Sequence, residues 1–199
     1  DTRTPVRIGI RSLAVSMACG GGDGELRVVC DLGERAPFAR SVDGTPRVRF
    51  GEAADRALLG AGWGHLERGS GGGPPFSWAV ATAAELELEL LRTDYDRARF
   101  RCLPFSAPGL PPQRVTLEVN GASSRSLELA VSAADYEVAL PPGCLRRGSN
   151  QLVLRFDRAE SPASRVPGSG DRRTLAAAFE WLELEGGEGG EGGGRTARV

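Results

Sequence analysis

The sequence predicts an all-β fold, an antiparallel β-sandwich with one or two short helices. Segments of alternating apolar and polar residues recur along the chain, and turn signals rich in Gly, Pro and Asn separate them. Such strands pack one face against a core and leave the other face in water. With 40% hydrophobic and 26% charged residues, the 199-residue chain has the composition of a globular domain.

Seven strands are placed by their alternation, and an eighth is allowed. Their expected positions are 86–90, 97–103, 115–119, 127–131, 136–140, 152–156 and 175–184. Leucine alternates with glutamate over residues 85–90, and a strict period of two cannot form one helical face. The pair Asn120-Gly121 favours a tight hairpin turn. Because the next apolar run, with Leu127, Leu129 and Val131, begins several residues later, the loop is expected to be longer than two residues.

Helical signals are few. Residues 51–59 form one candidate, with Ala53, Ala54, Ala57 and Leu58 as its apolar positions. Residues 161–165 form a second, since Ser161-Pro162 resembles an N-cap followed by proline at the first helical position.

Four segments are expected. Residues 19–49 are a connecting segment with short strands, residues 50–185 are the sandwich, and residues 186–199 are a disordered Gly/Glu-rich tail. Residues 1–18 contain a strand whose sequence resembles residues 171–184. It is either the closing strand of a preceding copy of the same module or the first strand of this one.

Charge and hydropathy argue against nucleic-acid binding and against a membrane-spanning segment. All 25 basic residues are arginine, 26 residues are acidic and the net charge is −1, so no basic excess exists to bind nucleic acid. No apolar run approaches the length of a membrane span. The lack of lysine and the abundance of Ala, Gly, Arg and Leu indicate a GC-rich bacterial genome, which leaves the cytoplasm and the cell envelope open as compartments.

The four cysteines show no metal-binding spacing. Cys19, Cys30, Cys102 and Cys144 form no C-x-x-C pair, and the chain has one histidine, His65. A zinc site would need all four thiols to converge. A local disulfide between Cys19 and Cys30 remains open, but buried free thiols are favoured. No metal and no cofactor are expected.

The sequence does not predict an enzyme. A Ser–His–Asp arrangement would have to use His65, and no Gly-x-Ser-x-Gly elbow precedes a helix. The glutamates over residues 85–89 alternate outward along a strand, which indicates a solvated face rather than the paired carboxylates of a glycosidase cleft. No Gly-x-x-x-x-Gly-Lys loop is present.

A series of landmarks runs along residues 50–185. They are Gly62-Trp63, Glu67, Phe76-Ser77-Trp78-Ala79, Cys102-Leu103-Pro104-Phe105, Pro111-Pro112-Gln113-Arg114-Val115, Val119-Asn120-Gly121, Ser161-Pro162-Ala163, Asp171-Arg172-Arg173 and Trp181-Leu182-Glu183-Leu184. In this order they resemble the jelly-roll, galactose-binding-like modules appended to bacterial glycosyltransferases and other envelope-polysaccharide proteins. The resemblance implies an accessory, carbohydrate-associated module with no catalytic centre of its own. This chain departs from that pattern in the glycine-rich loop 69–75 and after the Ser-Pro-Ala turn.

The candidate ligand-binding residues are Trp63, His65, Glu67, Arg68 and Trp78. Sugars are recognised by an aromatic ring against their C–H face and by planar polar groups at their edge. Trp63 lies in a Gly-rich loop beside His65 and Glu67, so it is the best candidate for an exposed stacking residue. Trp78 opens a strand, which favours the core or a sheet edge.

Two further groups are weighed against a ligand role. Trp181 lies in the last strand and is expected in the core. Asp94 and Asp96 flank Tyr95 in a turn and resemble a calcium site, but aspartates in turns usually accept hydrogen bonds from local backbone amides.

Two functions compete. The first is a non-catalytic carbohydrate-binding module of a bacterial polysaccharide or cell-envelope pathway, with a glycan as its partner. The second is a structural module without a ligand site, which docks a catalytic domain or a sister copy within a longer polypeptide.

Overall fold

The computed structural model describes residues 12–17, 26–31, 46–69 and 72–186. The segments 1–11 and 187–199 and the predicted loop 19–24 lie outside these residues. The chain divides into two compact units, residues 1–37 and residues 38–199.

The first unit contains a two-stranded antiparallel sheet. Its strands are β1 (Ser12–Met17) and β2 (Leu26–Asp31). Ser12 pairs with Asp31 and Met17 pairs with Leu26. The predicted N-terminal strand therefore overlaps β1.

The second unit is built almost entirely of strands. They are β3 (Arg47–Arg49), β4 (Trp63–Arg68), β5 (Pro75–Ala79), β6 (Ala83–Leu90), β7 (Arg97–Pro104), β8 (Arg114–Val119), β9 (Ala122–Ser123), β10 (Leu127–Glu128), β11 (Ala134–Ala139), β12 (Gly148–Phe156) and β13 (Ala177–Glu185). The helical elements are a 3₁₀ helix over Ala53–Leu58 and the short α1 (Pro162–Arg165).

These strands form two antiparallel sheets that share one core. The five-stranded sheet has the order β10-β8-β12-β6, with β9 beside β8. The six-stranded sheet has the order β11-β7-β13-β5-β4, with β3 beside β13. Phe179 of β13 lies at the centre of the core. Its ring centroid is 5.6 Å from that of Phe100 in the same sheet and 6.0 Å from that of Phe156 in the five-stranded sheet. The predicted all-β antiparallel sandwich with one or two short helices is confirmed.

The alternating patterns placed the inward faces correctly in the central strands. Leu86, Leu88 and Leu90 of β6 are at most 2% exposed, as is Leu117 of β8. The intervening glutamates of β6 point outward. The strict period of two therefore identified both the element and its buried face.

The hairpin after β8 differs from the expectation of a longer loop. Asn120 and Gly121 both have positive φ, 50° and 87°, and β9 follows at once as the return strand. This strand is short and lacks apolar alternation, so the sequence pattern missed it. The return then continues as β10, and the expected third apolar position, Val131, is 74% exposed. The core face of this segment ends at Leu129.

The 3₁₀ helix is shorter than the expected segment and buries different residues. Its buried positions are Asp55 and Leu58, whereas the three alanines that suggested an apolar face are exposed. Asp55 Oδ2 accepts a hydrogen bond from the Arg49 amide at 2.7 Å. The Asp55 carboxylate thus provides an acceptor for the Arg49 amide of β3, which faces away from β13.

The described cysteine side chains are free thiols. Cys102 is fully buried in β7 and Cys144 is half-buried. Burial raises the pKa of the Cys102 thiol, so it behaves as an apolar core residue. Within the described ranges, no helix is long and apolar enough to cross a membrane.

Candidate functional site

Trp63 is a core residue, so the expectation that it is exposed is wrong. Its side chain is 7% exposed, and its ring lies 4.5 Å from Phe50 and 5.6 Å from Phe179. The indole N–H donates to the Glu85 carbonyl at 2.7 Å. Gly62 has φ of 85°, and a Cβ there would lie 2.1 Å from the Ala83 carbonyl oxygen. Glycine at position 62 thus lets the chain pass close to β6 while Trp63 enters the core.

Trp181 faces outward, so the expectation of a core position is also wrong. A β-bulge lies between Phe179 and Trp181 in the pairing of β13 with β7. Phe179 and Leu182 both point inward, although simple alternation from Phe179 would place Trp181 inward. The bulge adds one residue and reverses the phase of the strand. Trp181 is therefore half-buried on the outer face of the six-stranded sheet.

Trp78 also lies on this outer face. In β5, Ser77 and Ala79 are buried, while Phe76 and Trp78 are half-buried and project to the other side. The Phe76 and Trp78 rings are 6.2 Å apart in a perpendicular arrangement.

Small residues flank Trp78 on both neighbouring strands. Ala178 of β13 is its cross-strand partner on one side. On the other side, a Cβ at Gly64 of β4 would lie only 3.7 Å from the Trp78 Cβ. Beyond Ala178 lies Leu103 of β7, which is 39% exposed. The outer face around Trp78 is therefore lined by small and apolar residues. We call Phe76, Trp78, Ala178 and Leu103 the aromatic platform.

Three polar side chains from distant parts of the sequence meet beside the platform. Arg173 Nη1 donates to Glu67 Oε1, and Arg173 Nη2 donates to Asp171 Oδ2 at 2.8 Å. The Arg173 Nε also donates to Asp171, at 3.1 Å. Two N–H groups of the Arg173 guanidinium are left after these contacts. The two carboxylates hold this planar group in one orientation while it stays 41% exposed.

Asp171 is itself held by the turn around α1. Its carbonyl accepts hydrogen bonds from the Ala163 amide at 2.8 Å and from the Ser161 hydroxyl at 3.1 Å. Its side chain accepts from the Arg173 amide at 3.0 Å. The Ser-Pro-Ala and Asp-Arg-Arg landmarks thus act together to place Arg173.

The ion pair between Arg173 and Glu67 spans β5. Thr174, next to Arg173, donates its hydroxyl to the Val80 carbonyl just after β5 ends. Glu67 pairs across strands with Phe76 near the start of β5. Because Trp78 lies between these two points on the same face, the ion pair borders the aromatic platform.

The two remaining predicted residues lie on the edge strand β4. His65 and Arg68 are exposed on either side of Glu67. The Gly64 carbonyl of β4 accepts a hydrogen bond from Arg56 Nη1 at 2.9 Å. The structure therefore brings Glu67 and Trp78 to the outer face and places Trp63 in the core. Arg68 directly follows Glu67 in the pairing with β5, so its side chain projects to the opposite face of the sheet.

The electrostatics of the site follow from its arginine. Hydrogen bonds from Arg173 lower the pKa of the Asp171 carboxyl, and the two carboxylates raise the pKa of Arg173. Asp171 and Arg173 therefore stay charged over the ordinary pH range.

No group of three or more His, Cys, Asp or Glu side chains that could hold a metal ion occurs among the described residues. Asp94 and Asp96 instead pair with Arg92 and Arg97, at 2.9 and 3.0 Å. The turn at Tyr95 therefore satisfies its carboxylates with guanidinium groups.

Sequence reasoning did not assign Phe76, Asp171 and Arg173 to a site. The signal for Phe76 was present, because it stands two residues before Trp78 in a strand and so shares its face. No comparable signal exists for Arg173, which lies 106 residues from Glu67.

Apart from this outer face, a concavity lies at the loop between β7 and β8. It has a volume of about 340 Å³ and is mainly apolar. Its lining includes Phe105, Leu110, Leu129, Val131 and Arg158. None of the predicted ligand-binding residues lines it.

Comparisons with known proteins found no matching family model and no matching curated protein. Solved structures do match. A family 35 carbohydrate binding module from an environmental isolate is 17% identical, covers 70% of this chain and 92% of its own, and has a TM-score of 0.45. The β-(1,4)-mannanase GH26-CBM35 of Podospora anserina is 12% identical over 73% of this chain and 28% of its own, with a TM-score of 0.44.

A third similar structure is the C-terminal CBM6 of LamC from Zobellia galactanivorans. It is 10% identical, covers 71% of this chain and 98% of its own, and has a TM-score of 0.42. The fold assignment itself rests on the two antiparallel sheets and their shared core.

Proposed function

We propose that this chain is a non-catalytic carbohydrate-binding module whose ligand stacks on the aromatic platform. The observation that supports it is the pair of half-buried rings, Phe76 and Trp78, on the outer face of the six-stranded sheet, with the Arg173 guanidinium held nearby by two carboxylates. An exposed tryptophan leaves apolar area in contact with water, and a sugar ring can cover it through its C–H face.

The polar border fits the second requirement of sugar recognition. The free N–H groups of Arg173 can donate to hydroxyl groups, and the carboxylate of Glu67 can accept from them. Because Asp171 and Glu67 already fix Arg173, little conformational entropy is lost when these hydrogen bonds form. His65 is exposed on the same edge strand as Glu67.

The same geometry argues against catalysis at this site. A glycosidase needs one carboxylic acid with a raised pKa to protonate the leaving group. Here both carboxylates are bonded to Arg173, which lowers the pKa of Asp171. At neutral pH the Asp171 carboxylate therefore accepts hydrogen bonds and does not supply that proton.

The resemblance noted in the sequence supports a context in a bacterial polysaccharide or cell-envelope pathway. In that context the module carries no chemistry of its own. It holds a glycan near a catalytic domain or a sister module of a longer polypeptide.

The test is a titration of the full chain with soluble mannan, galactan, xylan, laminarin and bacterial polysaccharide fragments, followed by calorimetry. We expect saturable binding to at least one glycan, and Trp78→Ala should weaken it by tenfold or more. Arg173→Gln should weaken it less, since it removes donors but leaves the rings in place.

Leu91→Ala is the matched control, because Leu91 is 66% exposed and is not part of the platform. A folded protein that binds none of these glycans would contradict the proposal. Equal loss of binding in Trp78→Ala and Leu91→Ala would place the site elsewhere.

A docking module is the second candidate function, and the concavity lined by Leu110, Val131 and Arg158 favours it. Among the described residues, Val131 is the most exposed large hydrophobic side chain at 74%, and exposed apolar surface favours association. Mass measured by light scattering should then rise with protein concentration, and Val131→Glu should abolish that rise. A constant monomer mass with saturable glycan binding would favour the first function.

A further inference from the structure

We propose that Trp181 is a second stacking subsite, so that the ligand is an oligosaccharide chain extended across the outer face from Trp78 to Trp181. This inference rests on the proposed function and deepens it, because it specifies an extended chain rather than a single sugar unit. It is carried by the placement of Trp181, by the two arginines beside it and by the pairing of β13 with both β5 and β3, which sets the two tryptophans on one face.

The bulge in β13 presents Trp181 on the same face as Trp78. Residues on the inward phase of β13 on both sides of the bulge are fully buried, as Phe179 and Leu182 show. The half-buried indole therefore makes no contribution to the core between the sheets. It lies among charged side chains, with Arg49 of β3 and Arg101 of β7 as its cross-strand partners.

Arg47 covers the indole in the free protein. Its guanidinium carbon lies 4.6 Å from the centre of the Trp181 ring. The arginine also contacts Glu183 at 3.5 Å, but its Nε atom is buried without a hydrogen-bond partner. A buried N–H that lacks a partner is an unfavourable arrangement. Arg47 can therefore move off the ring at small cost, and a sugar ring can take its place.

Arg49 lies exposed beside Trp181, its cross-strand partner. Its positive charge partly offsets the effect of burial on the pKa of the nearby Asp55 carboxyl, and its exposed guanidinium can also reach a ligand. Its backbone amide is held by Asp55, so the base of the side chain is fixed. Together with Arg47, it places guanidinium donors next to Trp181, where they can reach ring hydroxyls or acidic substituents.

The strands that carry the two tryptophans are tied together where β3 ends. The Phe50 amide donates to the Glu180 carbonyl, and the Ser77 hydroxyl donates to the Phe50 carbonyl at 2.6 Å. The end of β3 is thus bonded to both β13 and β5, and Gly51 packs directly against Pro75. An oligosaccharide that leaves Trp78 over Phe76 would next meet Arg49, the cross-strand partner of Trp181.

Oligosaccharides of increasing length test this arrangement. The probes are size-fractionated oligomers, from one to six sugar units, prepared from the glycan that binds in the panel above. For the wild-type chain, affinity should rise steeply beyond the shortest oligomers. Trp181→Ala should leave the affinity for one or two units unchanged and lower that for the longest oligomers by roughly tenfold.

Trp78→Ala and Leu91→Ala complete the experiment. Trp78→Ala should weaken binding at every length, and Leu91→Ala should change it at none. If affinity does not depend on length, or if Trp181→Ala binds the longest oligomer as the wild type does, the second subsite is wrong. The proposed function survives that result when Trp78→Ala still loses binding, whereas a chain that binds no oligomer overturns both.

Discussion

Tryptophan appears in two contrasting regions of this domain. Trp63 lies between the sheets, with its ring in contact with Phe50 and Phe179 and its N–H bonded to a backbone carbonyl. Trp78 and Trp181 lie on the outer face of the six-stranded sheet, where each is half-buried. The Trp63 ring makes its contacts within the core. The outer rings keep apolar area in contact with water, which is unfavourable in the isolated protein. A ligand that covered the rings would recover that free energy.

The largest expected effect tests the inner region itself. Leu117→Asp places a charge in the shared core, where Leu117 is 2% exposed. We expect the domain to lose its cooperative thermal transition, measured by circular dichroism. Thr116→Asp is the matched control, because Thr116 faces outward opposite Arg155 and should leave the transition near that of the wild type. If Leu117→Asp melts as the wild type does and Thr116→Asp loses the transition, the assigned register of β8 is off by one residue.

Trp63→Ala and Trp181→Ala compare the two regions directly. Trp63→Ala creates a cavity beside Phe179 and removes one of the two donors to the Glu85 carbonyl, the other being the Gly60 amide, so it should cost about 3–5 kcal/mol of unfolding free energy. Trp181→Ala removes a ring that contributes nothing to the core and should cost less than about 1 kcal/mol. Denaturant titration of both variants measures the difference. Similar losses would show that Trp181 is part of the folding core.

Asp55 is a buried carboxyl beside the core, and its contribution to stability is expected to depend on pH. Burial raises the pKa of its carboxyl above the ordinary value of 3.8. The folded state then favours the protonated form, so the contribution of Asp55 to stability is greatest below pH 3.8. That contribution is lost as pH rises through the raised pKa. Asp55→Asn keeps an acceptor for the Arg49 amide without the charge, so its stability relative to the wild type should increase from low pH to pH 7.

Asp55→Ala serves as the comparison for this pH series. It leaves the Arg49 amide without an acceptor and should be less stable than Asp55→Asn by about 1–3 kcal/mol at every pH, because neither variant titrates at this position. Urea unfolding at several pH values separates the two variants. A stability difference between Asp55→Asn and the wild type that does not change with pH would mean that the pKa of Asp55 is not raised in the folded state.

The smallest effect is expected on the charged part of the outer face. Arg99 pairs with Glu185 at 2.8 Å and lies near Glu183 and Glu137, all on neighbouring strands. These side chains are partly exposed, so water and salt screen the attraction. Arg99→Gln should change the unfolding free energy by less than about 1 kcal/mol, and the change should shrink in high salt. A larger, salt-independent loss would show that this ladder of charges supports the fold.

The sequence predicted the central strands well and the fate of the aromatic residues poorly. Leu86 and Leu117 lie in regular strands, where alternation alone decides which side is buried. Trp63 and Trp181 lie where that regularity fails, at a glycine with positive φ and at a bulge. For Trp181 the signal was available, since Phe179 and Leu182 are three residues apart and cannot share one face of a regular strand.

The sequence by itself determined the fold class, the strands with strict alternation, the hairpin turn at Asn120-Gly121 and the helical turn after Ser161, because each depends on local backbone preferences. Only the tertiary structure decided which tryptophans are exposed and which charges meet. The contact between Glu67 and Arg173 joins residues 106 positions apart, and it exists because α1 fixes Asp171 while β5 and β13 pair. Contacts of this range depend on the packing of whole sheets, which no local pattern in the chain encodes.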